Sequence, residues 1–263
     1  MNDPLHRPQV VGILGGMGPA AGADFTRLFV RACESHLRQS GAEICDQAFP
    51  EHWLAQVPVP DRSSALDDAG LGGHHPLEPM LQAIGKLAAL GTTTIALACN
   101  TAHAWHSTLQ ARFPQLDVLH VAREVARDLA RRGIREAGLM ATAGTYRAGL
   151  YEQAFEREGL RCHLPSETER EQLMRGIYGG VKAGNLQRAE GCFADVAKAM
   201  ARRFDLSVMI MGCTEIPLAL RAVQGMDALE LVDPAALLAR VLARRAYGLP
   251  AEGAEPARVA GDE

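Results

Sequence analysis

A chain of 263 residues, 48% hydrophobic and 22% charged, is long enough for one large domain or two modest ones. Its formal net charge of −4 argues against a nucleic-acid or membrane surface as the main partner, and no uncharged apolar run reaches bilayer-spanning length. Six cysteines, at 33, 45, 99, 162, 192 and 213, show no CxxC pairing; with no export signal in MNDPLHRPQ, they read as reduced thiols of a cytoplasmic protein.

Residues 1–9 read as frayed. Residues 10–14 are a short apolar run that predicts a buried strand. Gly15-Gly16-Met17-Gly18-Pro19 then opens a helix over 20–37, with Pro19 in the first turn, where its missing N–H costs nothing. Gly16-x-Gly18-x-x-Ala21 fits the Gly/Ala form of the dinucleotide fingerprint, and Glu43 stands where an acidic ribose ligand would be. The match is weak, because such turns serve any anionic ligand that approaches backbone amides, carboxylates included.

Prolines at 50, 58, 60, 76 and 79, with glycines at 70, 72 and 73, predict a long functional loop over 50–79. It contains Pro60-Asp61-Arg62-Ser63. Arg62 reads either as a clamp for a carboxylate or as an ordinary solvated arginine. His74 and His75, and the C-x3-H-x2-H of Cys99, His103 and His106, lack a zinc spacing, so no metal site is expected.

A helix over 77–90, closed by Gly91, leads to the apolar run 95–98, which breaks into Cys99-Asn100-Thr101 before a helix over 102–112. A cysteine between a buried strand and a helix start lies where open α/β sheets place ligands, and the helix N-terminus favours a thiolate there. The plain alternative is a small buried hydrophobe.

The pattern then begins again. A strand (118–120) and a helix (121–132) precede a strand at 137–141. Thr142-Ala143-Gly144-Thr145 opens a helix over 146–158, and a strand follows at 160–164. Ser166-x-x-Glu169 is a capping-box signature for a helix to about Lys182, ended by Gly184. A helix at 186–204 leads to a buried strand at 208–211, which runs into Gly212-Cys213-Thr214-Glu215. A short strand at 231–232 and Asp233-Pro234 introduce a last helix to 247, with a mobile tail after 250.

Alternating strands and helices imply parallel sheets. VGILGGMGPAAGADF and AGLMATAGTYRAGLY share strand, small-residue turn and helix, while IALACNTA and VMIMGCTE share apolar strand and cysteine, 87 and 75 residues further on. Such halves commonly pack about a pseudo-two-fold axis, which would set Cys99 and Cys213 across one cleft. Opposed thiols suit inversion of a stereocentre next to a carboxylate: one removes the α-proton and the other returns a proton to the opposite face. The carbanion then needs its carboxylate held by fixed donors. No lysine stands in a recognisable pyridoxal-phosphate context, which favours a route without cofactor.

The motifs GILGGMGP (12–19), PDRS (60–63), ACNTAH (98–103), ATAGT (141–145), GCTEIPL (212–218) and VDP (232–234) resemble, in order, the aspartate racemase branch of the aspartate/glutamate racemase superfamily. The resemblance implies two Rossmann-like parallel-sheet α/β domains with the active site between them, residues 1–116 plus 224–263 forming one and 117–223 the other. It implies a cofactor-independent racemase of aspartate or a similar amino acid, and a homodimer. Cys99 and Cys213 become the acid/base pair. Asn100, Thr101, Thr142, Thr145 and Thr214 become donors to the substrate carboxylates, Met17 a contributor through its backbone, Arg62 and Lys182 ligands of the distal carboxylate, and Glu215 a support for Cys213. For Lys182 the alternative is a helix-terminal lysine, and for Glu215 a helix N-terminal acid. The Cys-Thr-His motif of glutamate racemases is missing. A maleate-isomerase-like enzyme, a non-catalytic small-molecule binding protein and a nicotinamide oxidoreductase are the rivals.

Overall fold

Apolar runs that alternate with amphipathic stretches can be buried on both faces only if helices cover each side of a parallel sheet. A computed structural model of the protein describes residues 8–66 and 75–249. The expectations for the first seven residues, for Gly70, Gly72, Gly73 and His74, and for the tail from Pro250 lie outside the described residues.

The first half runs β1 (Val11–Gly15), α1 (Pro19–Gln39), β2 (His52–Gln56), α2 (Arg62–Ala65), α3 (Leu77–Ala89), β3 (Thr94–Leu97), α4 (His106–Arg112), β4 (Asp117–Val118) and α5 (Val121–Arg131). The second runs β5 (Glu136–Ala141), α6 (Ala143–Arg147), α7 (Leu150–Arg157), β6 (Arg161–His163), α8 (Glu167–Tyr178), α9 (Leu186–Phe204), β7 (Val208–Gly212), α10 (Ile216–Ala219) and β8 (Glu230–Val232), and α11 (Pro234–Ala246) closes the chain. The strands form two parallel sheets, ordered β2-β1-β3-β4 and β6-β5-β7-β8. One order is the other advanced by four strands, so the repeat read in the sequence is a repeat of topology.

Side chains alternate between faces as the pleat requires. Val11 and Ile13 of β1 pack with Phe25 of α1 and Leu238 of α11, while Leu14 faces Ile84 and Leu87 of α3. In β5 and β7, Leu139 and Ile210 pack with Tyr151 and Phe155, whereas Met140, Met209 and Met211 face Phe193 and Met200 of α9. The two halves also meet directly, where α2 and the 3-10 turn Thr101–Trp105 pack on α6.

Several expectations need correction. The stretch 50–79 is not one loop. His52–Gln56 is an edge strand, paired along its length with β1, and Arg62–Ala65 is a helical turn capped by the Asp61 side chain. The helix expected over 102–112 is a 3-10 segment until Trp105 and α-helical only from His106. The helix of 146–158 is two, broken at Gly149, whose φ of 59° suits glycine. The helix expected to reach Lys182 stops at Tyr178, and Lys182 sits in a separate 3-10 turn, Val181–Ala183. The division 1–116 plus 224–263 against 117–223 shifts at both joints: β4 pairs with β3 in the first sheet, and β8 pairs with β7 in the second. Each sheet takes its last edge strand just after the chain has left its cysteine element. Helix α11 nevertheless packs on α1 and returns to the first half.

Candidate active site

Each cysteine stands at the C-terminal edge of a buried central strand. Cys99 lies two residues past β3, and Cys213 follows β7 directly. Both are free thiols and nearly inaccessible, 7% and 5% exposed. They line one small cavity between the halves. The turn after β1 contributes Met17, α2 and its lead-in contribute Asp61, Arg62 and Ser63, and the second half contributes Thr142, Tyr178 and Lys182. Asn100, Thr101, Thr214 and Glu215, which flank the two thiols, complete the wall. A larger, open groove beside it carries Arg147, Arg170, Arg175 and Arg188 and shares Tyr178 with the cavity, but its wall offers no thiol.

Arg62 is buried, 8% exposed, because its guanidinium is consumed by backbone. Nη1 donates to the carbonyls of Val59 and Pro60 at 3.1 and 3.0 Å, and Nη2 to that of Met17 at 2.6 Å. Nε is buried with no partner. Met17 therefore anchors Arg62 through its carbonyl, a role distinct from direct donation to a substrate.

On the first half, Asn100 accepts a hydrogen bond at Oδ1 from the Tyr151 hydroxyl, which fixes the amide and leaves its Nδ2 donors for the cavity. Thr101 of the first half and Thr142 and Thr145 of the second share three hydroxyl contacts of 2.8, 3.0 and 3.1 Å. Thr145 is the one predicted site residue that does not line the cavity; it braces the two threonines that do.

On the second half, the Cys213 thiol donates to Glu215 Oε2 at 3.0 Å, and the Thr214 hydroxyl donates to the same oxygen at 3.1 Å. Lys182 Nζ lies 3.8 Å from Glu215 Oε1 and 4.5 Å from the centre of the Tyr178 ring. Burial, followed by the negative charge of Glu215, pushes the Cys213 thiol well above its ordinary range. The dipole of α10, which spans only Ile216–Ala219, does not offset this burial and the Glu215 charge.

The dinucleotide reading also fails on geometry. Glu43 is exposed beyond the end of α1, and the Gln56 side chain occupies the space over Gly15 and Gly22, donating from Nε2 to the Pro19 carbonyl at 2.8 Å.

Residues 14–242 match the family described as Asp/Glu/Hydantoin racemase. The chain belongs to that family. Like its named members it is an isomerase. It is 22% identical over 235 residues to the broad specificity amino-acid racemase RacX of Bacillus subtilis (strain 168), across 88% of this chain and 95% of that protein. The Picrophilus torridus aspartate racemase superposes with a TM-score of 0.73 at 24% identity, over 90% of this chain and 94% of that one. An aspartate racemase homologue from Pyrococcus horikoshii OT3 superposes with a TM-score of 0.68 at 26% identity, over 90% of this chain and 99% of that one. These structures share the two-sheet α/β fold.

Three residues of this racemase-family cavity escaped the sequence reading. Asp61 and Ser63 flank Arg62 within the PDRS motif, which by itself assigns them no role. Tyr178 stood at the end of an amphipathic helix with no motif around it. Its hydroxyl donates to Asp61 Oδ2 at 2.8 Å, a bond from the second half to the first.

Proposed function

We propose that this chain is a cofactor-independent amino-acid racemase, acting on aspartate or a similar dicarboxylic amino acid through Cys99 and Cys213. The observation that carries the reading is the placement of two free, buried cysteines at topologically equivalent strand ends, on the wall of one small cavity. One sulfur, as thiolate, takes the α-proton; the electron pair of the Cα–H bond passes into the carboxylate, and the other S–H delivers a proton to the opposite face.

Donors for the substrate carboxylate surround the thiols. The Asn100 amide nitrogen and the hydroxyls of Thr101 and Thr142 suit the α-carboxylate, whose charge grows during proton removal, while the Thr214 hydroxyl is already given to Glu215. The buried, unpartnered Nε of Arg62 and the Lys182 ammonium suit the distal carboxylate. Among the described residues no helix is long and apolar enough to cross a membrane. A homodimer is the assembly we expect, to be checked by light scattering.

Incubation with L-aspartate in deuterated water should yield D-aspartate carrying deuterium at Cα. Cys99→Ala and Cys213→Ala should each lower the rate by about a hundredfold to ten-thousandfold, the usual weight of a positioned acid or base. Failure of every amino acid in a panel to exchange its α-proton would sink the reading, and wild-type rates in either variant would remove that cysteine from it.

A further inference from the structure

The two halves are not equivalent at their thiols. Aligned on the cysteines, Thr101 and Glu215 occupy the same place, two residues beyond the sulfur-bearing residue. The correspondence extends to their surroundings. A Cβ added to Gly144, the third residue past the end of β5, would meet Thr101, and one added to Gly18, the third residue past the end of β1, would come within 3.9 Å of Glu215. Each faces the turn of the opposite half. At this shared position one half carries a neutral hydroxyl, engaged with Thr142 and Thr145, and the other a carboxylate bonded to the catalytic sulfur.

We propose that Glu215 breaks the symmetry of the thiol pair: its carboxylate holds the exchangeable proton on Cys213, so that in the resting enzyme Cys213 is the acid and Cys99 the base. This rests on the racemase reading and adds to it an order of action. An ionised carboxylate only accepts, so an oxygen 3.0 Å from sulfur is satisfied by S–H and would face a like charge in S⁻. The Thr214 hydroxyl donates to the same oxygen, and the Lys182 ammonium lies 3.8 Å from the other. The remaining charged or titratable groups on the cavity wall are Asp61, Arg62, Tyr178 and Cys99 itself; none of them takes the place of Glu215 beside Cys99, where Thr101 stands.

In the first turnover from this state the Cα–H bond breaks, its electron pair passes to the substrate carboxylate as an enediolate, and the proton goes to the Cys99 sulfur. The Cys213 S–H bond then breaks toward the other face of Cα, leaving a thiolate beside Glu215. That thiolate is the less stable of the two forms of the free enzyme, so the proton returns to Cys213 through solvent or through turnover of the opposite enantiomer. Two enantiomers are equal in free energy, so their specificity constants stay equal at every pH. The asymmetry must therefore be read in the titration of the thiols.

The direct test is NMR titration of protein labelled with 13Cβ-cysteine, the two resonances being assigned with Cys99→Ser and Cys213→Ser. Cys213 should titrate about one pH unit or more above Cys99, and Glu215→Gln should lower the Cys213 midpoint by about a unit while leaving that of Cys99 in place. Should the amide variant not fold, Glu215→Thr gives the second half the residue of the first and should bring the midpoints together. A Cys213 midpoint at or below that of Cys99, or one indifferent to the loss of the Glu215 charge, overturns the proposal.

Activity supplies an independent readout. In the bell-shaped pH profile of racemisation, Glu215→Gln should move the alkaline limb down with Cys213 and leave the acid limb unchanged, which a merely structural role would not do. If no amino acid is turned over, the racemase reading falls while the titration still decides the proton's place. Turnover with coincident midpoints overturns only the asymmetry.

Discussion

The Arg62 guanidinium donates to the carbonyl of Met17 at 2.6 Å, which ties the segment before α2 to the glycine-rich turn after β1. The same group holds the carbonyls of Val59 and Pro60, so one buried side chain fixes the first half's wall of the cavity. A lysine keeps the charge but cannot satisfy three carbonyls and a substrate carboxylate with one ammonium. Arg62→Lys is predicted to cost roughly 2–4 kcal/mol of stability, since hydrogen bonds to charged groups are worth about 1.5–3 kcal/mol each, and to raise KM at least about tenfold. Urea unfolding and steady-state kinetics check this. Wild-type values for both would show that the network carries no weight.

Tyr178 and Asp61 make the corresponding tie across the cavity mouth. Tyr178→Phe keeps the ring beside Lys182 and deletes only the hydroxyl, a loss of about 1 kcal/mol, so substrate affinity should fall roughly fivefold with kcat nearly unchanged. Although burial pushes the Asp61 carboxyl up, the hydrogen bonds from Ser64 and Tyr178 outweigh it and hold the group below its ordinary range. The sign follows: the stabilisation is complete above about pH 4 and is lost as the pH falls through the lowered pKa. A Tyr178→Phe variant with unaltered KM would show that this bond does not help to hold the site closed.

What could be read from the chain alone follows a physical division. The strands at 11–15, 94–97, 136–141 and 208–212 are central and buried on both faces, so their apolar runs and the small-residue turns after them are unmistakable, and the cysteine pair comes with them. β2 was hidden because an edge strand with Trp53 and Leu54 exposed has no alternation to see, and flanking prolines suggest a loop. Tyr178 and Thr145 act through contacts that span the two halves, and no local pattern encodes a partner more than forty residues away. For Lys182 the sequence offers a substrate ligand or a helix-terminal lysine but not the pairing with Glu215, which depends on a 3-10 turn that the helical pattern of α8 conceals.

Gly144 sets how closely the halves approach. A Cβ there would sit 2.8 Å from Thr101 Cγ2 and from Ser63 Oγ, and 2.9 Å from the Ser63 Cα. The last contact is backbone and cannot rotate away. Gly144→Ala is therefore predicted to cost about 1–3 kcal/mol as overpacking and to push the second half off α2, lowering kcat/KM by tenfold or more while circular dichroism still shows the α/β fold. Gly191 is the control. It also lies in a helix, yet an added Cβ meets nothing within 4 Å, so Gly191→Ala should leave activity unchanged. Equal activity in the two variants would refute the steric argument.

Behind Cys99 the protein stores a pH dependence of its own. His103 donates from Nδ1 to the carbonyls of Cys99 and Asn100 and is only 2% exposed; burial, reinforced by His106, lowers its pKa to about 4. His120 lies 5.3 and 4.8 Å from the rings of His103 and His106, and burial and these neighbours push it lower still. His106 is lowered too, first by burial. His103 and His120 are neutral in the folded protein near pH 5, and His106 is shifted in the same direction, whereas the unfolded chain protonates them at about 6.5. The unfolded state therefore binds more protons below that pH, so stability is full above about pH 6.5 and drains away as the pH falls toward 4, at up to about 1.4 kcal/mol per histidine and pH unit. Urea midpoints should be lower at pH 5 than at pH 7. His120→Asn retains a side chain suited to the start of α5 and removes one titrating group, so it should shrink that difference by about 1–2 kcal/mol. A difference of wild-type size in His120→Asn would place the acid sensitivity outside this cluster.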